Sequence, residues 1–386
     1  MNISINYPRR IQKIQDALNR HGIDVYIAVR TATVSYTLGA FAPWRTAVII
    51  PQSGPAIGLL WENDASRLKE DTWMDHVIEW GARNKCSFTE AIANTIRDLG
   101  LDRGTIGVEL AVEGARTAPG LLLAIEYEDL KKLLPSAHFV NATGCVDQIL
   151  AVKEKEEILL MRQVSAIADI GFAAALDALK AGKTENEIAG VAEYAMRCAG
   201  SEWAWSVTAG TEVGSGYRSA YYLGFTQPAT NKIIQRGDMV IIDLHPMYRL
   251  YYADFAANAV VGPPTSDQQK LAHTWVEAVT TLVKGMVPGA VISEVARAAY
   301  EKIKNNGLDR WCIPSFGHGI GTCSRIPPLI TLNNHEEFVE NMVVNAGTHI
   351  YWPGVGGMRL ELPVLVTPGG GEPLCKTPLQ LHVVQG

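Results

Sequence analysis

The chain has 386 residues, a net charge of −6 and a pI near 5.9, and 47% of its residues are hydrophobic against 19% charged. This composition excludes a disordered protein, the length predicts two domains, and the lack of a basic excess argues against a nucleic-acid partner. No apolar run approaches the roughly 20 residues that cross a bilayer, and residues 1–10 lack a secretory apolar core, so we expect no membrane association. Six scattered cysteines form no CxxC pair, which favours a reducing, cytoplasmic compartment.

The first 150 residues alternate between helical and strand patterns. Helices are predicted where apolar residues recur at helical spacing, and strands at short apolar runs. Ser87, with Glu90 three residues later, is a capping pair for one helix. The predicted helices are 9–19, 87–99 and 121–134, and the predicted strands are 25–29, 47–50, 56–61 and 105–109. This order predicts an α/β domain over residues 1–150.

A charged run, AVKEKEE at 151–157, marks a domain boundary and leads into a long helix. Strands are predicted between 205 and 254 and again after 305. The predicted helices are 156–179, 184–199, 266–284 and 292–305. Strands surrounded by helices in this way predict a second domain, 151–386, of the α+β class.

The most informative segment is 240–258, VIIDLHPMYRLYYADFAAN. An apolar strand delivers Asp243, and Asp254 follows eleven residues later, so on a hairpin both carboxylates could converge on one metal site. Buried carboxylates are costly unless they are paired or bind a metal. For the pair taken alone, capping of turns by both aspartates is an equal alternative.

Two later segments add a histidine and another carboxylate. In PSFGHGIG, 314–321, His318 stands between glycines that allow close backbone approach to a ligand, although a lone histidine there is more often structural. In GGMRLELPVLV, 356–366, Arg359 and Glu361 share one face of a strand. A buried Glu361 needs a partner, which is either Arg359 or a metal ion.

The order Asp243, Asp254, His318, Glu361 resembles the pita-bread family that includes methionine aminopeptidase, aminopeptidase P, prolidase and creatinase. The resemblance covers the whole chain: 1–150 is similar to the N-terminal domain of the aminopeptidase P, prolidase and creatinase branch, and the rest to the catalytic domain. It implies that these residues match four of the five side chains that hold two divalent ions in the family's metallopeptidases. It also implies a catalytic part for His318, a bridging part for Glu361, and a homodimer.

Three features depart from the peptidase pattern. Trp352, in HIYWPG, stands where a fifth ligand, a glutamate, is expected, and an indole N–H cannot coordinate a hard cation. Arg325, in SRIPP, replaces a histidine of the substrate shell. The stretch 207–243 contains no histidine, although the peptidases and creatinase carry a catalytic one there, and instead holds Tyr217 and Tyr221.

His245 is a candidate replacement ligand. It lies two residues after Asp243, and such residues share a face on a strand. Dimethylsulfoniopropionate lyases of this family place an extra aspartate ligand at this position. With the four matched residues, His245 would hold at least one divalent ion, from Zn, Mn, Fe, Co or Ni, and imidazole suits zinc, iron and nickel. Capping of the turn before Pro246 is an equal alternative.

The pocket expected around this centre is aromatic and cationic. Aromatic faces hold cationic groups and arginines hold carboxylates, so the substrate expected is a small zwitterion or dipeptide. An ordinary aromatic core is the alternative. The loop FAPWR, 41–45, resembles one that reaches the neighbouring subunit's site. The residues assigned to substrate binding are Trp44, Arg45, Trp203, Tyr221, Trp352 and Arg359.

Three functions remain open. The first is hydrolysis of a C–N bond, an amide or amidine, by metal-activated water, with Tyr217 or Arg325 stabilising the oxyanion. A metal-free mechanism, as in creatinase, is one form of this hydrolytic hypothesis. The second is a lyase resembling the dimethylsulfoniopropionate lyases, which would abstract a proton without attack by water. The third is a non-catalytic binding protein on an inactivated peptidase frame, although four of the five ligand positions are kept.

Overall fold

A computed structural model describes residues 3–110, 120–202, 210–221 and 227–385. The chain divides into two compact units, Met1–Leu150 and Ala151–Gly386. Each unit is built from helices and one main β-sheet. Trp203, assigned to substrate binding, lies outside the described residues.

The first unit is a mixed sheet flanked by helices. Its strands are β1 (Val25–Ala28), β2 (Ala47–Pro51), β3 (Ile57–Trp61), β4 (Val77–Trp80), β5 (Thr105–Val108) and β6 (His138–Asn141). Its helices are α1 (Tyr7–His21), α2 (Thr31–Leu38), α3 (Ala65–Asp71), α4 (Phe88–Asp98), α5 (Ala124–Leu133) and α6 (Thr143–Ala151). The strand order is β4-β3-β2-β1-β5-β6. Helix α4 begins at the predicted capping pair, Ser87 with Glu90.

The second unit surrounds a larger sheet with four α-helices in its described part. The helices are α7 (Lys155–Ala178), α8 (Glu185–Cys198), α9 (Ser266–Gly285) and α10 (Ile292–Asn305), with 3-10 turns at Gly216–Ala220 and Asp309–Trp311. The strands are β7 (Glu212–Ser215), β8 (Met239–Leu244), β9 (Met247–Tyr248), β10 (Tyr251–Tyr252), β11 (Phe255–Val261), β12 (Cys312–Ile313), β13 (Ser315–Gly319), β14 (Ile326–Thr331), β15 (Val343–Trp352), β16 (Gly356–Thr367), β17 (Gly370–Pro373) and β18 (Leu381–Val384).

The main sheet of the second unit runs β14-β13-β15-β16-β11-β8-β7. The hairpin of β15 and β16 forms its longest ladder, and β8 and β11 pair antiparallel beside it. The strands β12, β17 and β18 extend this sheet at β15, β16 and β11. Long central strands of this kind fix the relative positions of side chains that are far apart in sequence.

Helix α7 is long and apolar enough to cross a membrane by length and composition, contrary to the expectation that no segment reaches this length. Arg162 and Asp169 interrupt its apolar sequence, which is why no continuous run was visible. Half of its most apolar window is buried, and the helix packs against α8 and β8. These contacts make α7 a core helix of its unit.

The glycines beside His318 serve strand packing. A Cβ on Gly317 would lie 1.9 Å from the carbonyl oxygen of Asn345 on β15, and one on Gly319 would lie 2.3 Å from that of Pro327 on β14. Any larger residue would therefore push β13 away from both neighbours. Strand packing thus accounts for both glycines, and close approach of a ligand to them stays a prediction.

Lys153 is a buried lysine just before α7, with 4% of its surface exposed. Burial, opposed by the charge of Glu157, lowers the pKa of its amine from 10.5 to about 8. Between these values the unfolded chain holds a proton that the folded chain has lost. The contribution of this group to stability is therefore lowest below pH 8 and rises with pH up to about pH 10.5.

We expect the melting temperature of the wild type to rise relative to that of Lys153→Met between pH 8 and pH 10. The slope of the linkage is about 1.4 kcal/mol per pH unit, which corresponds to several degrees over this window. Thermal unfolding of both proteins followed by circular dichroism at half-unit steps measures the difference. A difference that is independent of pH would contradict the assignment of a depressed pKa to Lys153.

Candidate metal centre

One transverse row of the main sheet collects carboxylates from three strands. Glu212 on β7 is opposite Asp243 on β8, and Asp243 is opposite Ala256 on β11. Ala256 is opposite Glu361 on β16, and Glu361 is opposite Gly347 on β15. Directly opposite residues point to the same face of a sheet. The small residues Ala256 and Gly347 therefore leave space on the face that carries three carboxylates.

Two histidines and a fourth carboxylate complete the cluster. The two oxygens of Asp254 lie between them: Nε2 of His245 is 3.4 Å from Oδ1, and Nε2 of His318 is 3.6 Å from Oδ2. Nε2 of His245 is also 3.5 Å from Oδ1 of Asp243. On the other side of the cluster, the amide of Asn345 donates a 2.6 Å hydrogen bond to Oε2 of Glu361.

These side chains form two groups with the donor atoms of a metal site. One group is Asp243, His245 and Asp254, the other is Asp254, His318 and Glu361, and the donor atoms of each lie within 4.8 Å of one another. Asp254 belongs to both groups and would contribute a donor to an ion in either, whereas Glu361 belongs to the second group alone, so its bridging part stays a prediction. The predicted ligand residues are thus brought together, including His245.

The cluster fits divalent ions by two further observations. Oδ1 of Asp243 and Oδ1 of Asp254 are buried and accept no hydrogen bond from the described residues, which is costly for carboxylate oxygens, whereas Oδ2 of Asp243 is paired with Arg359. The separations of 3.4–3.6 Å between histidine and carboxylate exceed the usual 2.7–3.2 Å of hydrogen bonds. Two ligands about 2.1 Å from one tetrahedral ion lie about 3.4 Å apart, which matches these spacings.

Arg359 is the buried cation among the carboxylates. Its Nη2 lies 2.9 Å from Oδ2 of Asp243 and 3.4 Å from Oε1 of Glu361, and its Nη1 lies 3.1 Å from Oε2 of Glu212. The sequence analysis predicts that Arg359 binds substrate or pairs with Glu361. The structure gives it three carboxylate partners, so its guanidinium holds the row of acids together.

Burial dominates the pKa values of the row. Burial and the charge of Asp254 raise the pKa of Glu361 well above its usual range, and Arg359 opposes this rise. Burial and the charge of Asp243 raise the pKa of Glu212 to about 7, again opposed by Arg359. Burial also raises the pKa of Asp243. Burial therefore opposes ionisation of all three acids, and nearby positive charge favours it.

The side of the cluster that holds Asp254 differs from this row. Burial opposes ionisation of Asp254, but contacts with His245 and His318 hold the pKa of Asp254 well below its usual range. Burial opposes protonation of His245, but the charges of Asp243 and Asp254 raise the pKa of His245 to about 10. Binding of divalent ions would displace these protons and favour ionised carboxylates with neutral imidazoles.

Comparison with known proteins identifies the family of the chain. The pattern of metallopeptidase family M24 matches residues 159–368, and that of the creatinase/prolidase N-terminal domain matches residues 10–152. The chain belongs to metallopeptidase family M24. It is a hydrolytic enzyme with the two-domain pita-bread fold, which confirms the predicted α+β class and the resemblance to the aminopeptidase P, prolidase and creatinase branch.

Relatives and solved structures support this membership over nearly the whole chain. The Xaa-Pro dipeptidase of Pyrococcus furiosus is 29% identical over 372 residues, covering 96% of this chain and 99% of the relative. The Xaa-Pro dipeptidase of Pyrococcus horikoshii is 31% identical over 274 residues, covering 70% of this chain and 76% of the relative. The X-Pro aminopeptidase structure from Thermotoga maritima superposes with a TM-score of 0.83 at 25% identity, covering 98% of this chain and 99% of that one.

The strand register corrects the position predicted for Trp352. Gly347 is the residue of β15 opposite Glu361, whereas Trp352 is opposite Gly356 at the end of the hairpin. There it stacks on Trp311 with ring centroids 4.6 Å apart. Trp352 therefore does not occupy the place of an M24 ligand, and its part in substrate binding stays a prediction.

His349 was missed by the sequence analysis. It is 2% exposed, and its Nε2 lies 3.7 Å from Oε1 of Glu361. Burial and the charge of Arg359 lower the pKa of His349 well below its usual range, which favours the neutral imidazole. The alternation of Asn345, Gly347 and His349 along one strand face was the available signal, but the expected ligand position had been placed further along the chain.

Arg325 is half-buried, and its charge acts on two residues of the cluster. Its Nε is buried and has no hydrogen-bond partner among the described residues. Its charge opposes the rise in the pKa of Glu361 and helps to lower the pKa of His349. Arg325 thus supplies positive charge within electrostatic reach of the cluster, and its part in catalysis stays a prediction.

Two aromatic candidates are exposed on the second unit. Tyr217 is 65% exposed and packs edge-on against Tyr221, with ring centroids 5.7 Å apart. Tyr221 is also exposed. The described contacts of Tyr217 do not include the carboxylate cluster, so its catalytic role, like substrate binding by Tyr221, stays a prediction.

The loop candidates of the first unit have different environments. Trp44 is exposed and packs against Trp61. Arg45 pairs with Glu126 and donates hydrogen bonds to the carbonyl oxygens of Gly120 and Leu121. These bonds give Arg45 a structural part in its own unit, and substrate binding by either residue stays a prediction.

Proposed function

We propose that the chain hydrolyses a C–N bond, an amide or amidine, in a small zwitterionic molecule or a dipeptide. The observation that carries the proposal is the pair of ligand groups that share Asp254 in one buried cluster. Membership of a hydrolytic metallopeptidase family supports the same reading. It also argues against a binding protein on an inactivated frame.

In this proposal Asp243, His245, Asp254, His318 and Glu361 hold one or two divalent ions. When bound, such ions activate water and polarise the bond that is attacked. Asn345 fixes the orientation of Glu361 through its short hydrogen bond.

Arg325 is the proposed contact for the charge of the substrate. Its buried Nε, without a described hydrogen-bond partner, suits either a substrate carboxylate or an oxyanion that develops during attack. Preference for a small charged substrate follows, because a half-buried guanidinium pairs more strongly with a charged group than with a neutral one. The alternative is a lyase that abstracts a proton without attack by water. It would use the same cluster, and its product distinguishes it from a hydrolase.

We further propose a cytoplasmic homodimer. All six cysteines are free, which suits a reducing compartment. The exposed Trp44 supports a contact with a second subunit.

We expect poor turnover of Xaa-Pro dipeptides, with kcat/KM for Gly-Pro and Ala-Pro below about 10² M⁻¹s⁻¹, against 10⁴–10⁸ for typical enzyme–substrate pairs. The reason is that Arg325 replaces a histidine of the substrate shell and that Gly347 lies where a ligand residue is expected. Release of proline by metal-loaded protein measures this. Rates in the typical range would contradict the proposed substrate class.

The reaction type is tested by a screen of small amides and amidines in ¹⁸O-labelled water. Hydrolysis adds one water to the mass balance and places the label in the product. An unlabelled alkene product would establish elimination and overturn the hydrolytic proposal.

A further inference from the structure

One edge of β11 changes its partner two residues beyond the row of acids. Ala256 is in register with Glu361 of β16, but from Asn258 onwards this edge pairs with β18 instead. The other edge of β11 pairs with β8, where Asn258 is in register with Ile241. Strand β16 therefore separates from β11 immediately after it has delivered Glu361 to the cluster.

The side chain of Asn258 bridges this separation. It is fully buried, and its Nδ2 donates a 2.8 Å hydrogen bond to the carbonyl oxygen of Arg359. Its Oδ1 accepts a 2.8 Å hydrogen bond from the backbone N–H of the same residue. Arg359 is the residue that would be opposite Asn258 if the ladder continued. One side-chain amide thus replaces the two bonds that a hydrogen-bonded pair exchanges in an antiparallel ladder.

These two bonds hold β16 at the point where it carries its charged groups. On the opposite side Arg359 is in register with His349 of β15, so its backbone is held from both sides. Its guanidinium contacts Asp243 and Glu361, and Glu361 lies only two residues further along the strand. A shift of the backbone at 359 would therefore move both the buried counter-charge and a candidate ligand.

An asparagine suits this place better than other small side chains. Its amide carries an N–H donor and a carbonyl acceptor side by side, as a peptide group does. An apolar side chain of the same size would remove both hydrogen-bond partners from the backbone of Arg359, which is costly in a buried strand. A hydroxyl group has a single oxygen and a shorter reach, so it could not replace both bonds.

We propose that Asn258 is a positioning residue of the metal centre, which acts by holding the backbone of Arg359 and, through it, Glu361. The proposal rests on the metal centre of the proposed function and adds a residue that is itself no ligand. Two names are used for the ligand groups. The Glu361 group is Asp254, His318 and Glu361, and the His245 group is Asp243, His245 and Asp254.

The test is the zinc affinity of Asn258→Ala. Affinities are measured by competition with a chromophoric chelator, and anomalous diffraction from zinc-loaded crystals assigns each ion to its group. We expect the ion of the Glu361 group to bind about 10–100-fold more weakly in the variant, the range found for partners behind a ligand. The ion of the His245 group is expected to weaken less, because none of its ligands lies on β16.

A matched control removes a comparable buried amide from the first unit. Gln15 is 6% exposed, and its Nε2 donates hydrogen bonds to the carbonyl oxygens of Pro51 and Gly54. We expect Gln15→Ala to leave both ions unchanged even if it destabilises its unit. Asn258→Ser replaces the alanine variant if the latter fails to fold, and the same selective loss is expected.

The outcomes separate this proposal from the proposed function. Two ions in the wild type with unchanged affinities in Asn258→Ala would overturn the role of Asn258 and leave the metal centre intact. Equal weakening of both ions would also overturn it, because that result indicates general loosening of the sheet. An ion found only in the His245 group would remove Glu361 as a ligand and overturn the positioning role. A wild type that binds no zinc would overturn the metal centre itself and this proposal with it.

Discussion

Replacement of Asp254 by Asn is expected to remove both metal ions and to lower kcat on any substrate found in the screen by at least about 10³-fold. Asp254 is the one residue that both ligand groups share, and its two oxygens face His245 and His318. A neutral amide keeps the shape but offers one weaker oxygen donor. Ions per chain are counted by elemental analysis before and after loading with zinc.

The matched control for this variant is Asp267→Asn at the exposed start of α9. It makes the same chemical change away from the cluster and is expected to leave ion content and activity unchanged. Retention of two ions by Asp254→Asn would refute the shared position of Asp254. Loss of only one ion would show that Asp254 binds metal in one of the two ligand groups only.

Replacement of Arg359 by Met is expected to be the most destabilising single change in the cluster. Arg359 is 3% exposed and contacts Glu212, Asp243 and Glu361, so its removal leaves buried carboxylates without a counter-charge. Loss of one partner of a buried ion pair costs about 3–5 kcal/mol of unfolding free energy. Urea unfolding of metal-free protein, followed by circular dichroism, measures the loss.

Two further variants show whether the cost arises from buried charge. Arg162→Met breaks an exposed pair with Glu372 and is expected to cost less than about 1 kcal/mol. Glu212→Gln added to Arg359→Met removes one orphaned carboxylate and should recover part of the loss, with a coupling of about 0.5–3 kcal/mol. Strict additivity of the two changes would show that Glu212 and Arg359 do not interact.

The side chains that alternate along a strand could be predicted from the sequence. Arg359 and Glu361 were expected on one face of a strand, and the structure places both there in contact with each other. His245 was expected to share the face of Asp243, and its imidazole lies beside that carboxylate. These predictions succeed because the two-residue period of a strand is a local property.

The register between strands could not be read from the sequence. It depends on how many residues the β15–β16 turn uses, and a small error in that number moves every cross-strand partner. The resemblance of HIYWPG to the family's segment put Trp352 at a ligand position, whereas the observed register puts Gly347 opposite Glu361. Glu212 was not predicted as part of the cluster, because only the pairing of β7 with β8 brings it next to Asp243.

The most direct test of the metal centre is the count of ions in wild-type protein purified without added metal or chelator. Elemental analysis is expected to find one or two transition-metal ions per chain, held by the cluster of Asp243, His245, Asp254, His318 and Glu361. Protein that contains no metal, and takes up none on incubation with zinc, manganese, iron, cobalt or nickel salts, would contradict the account.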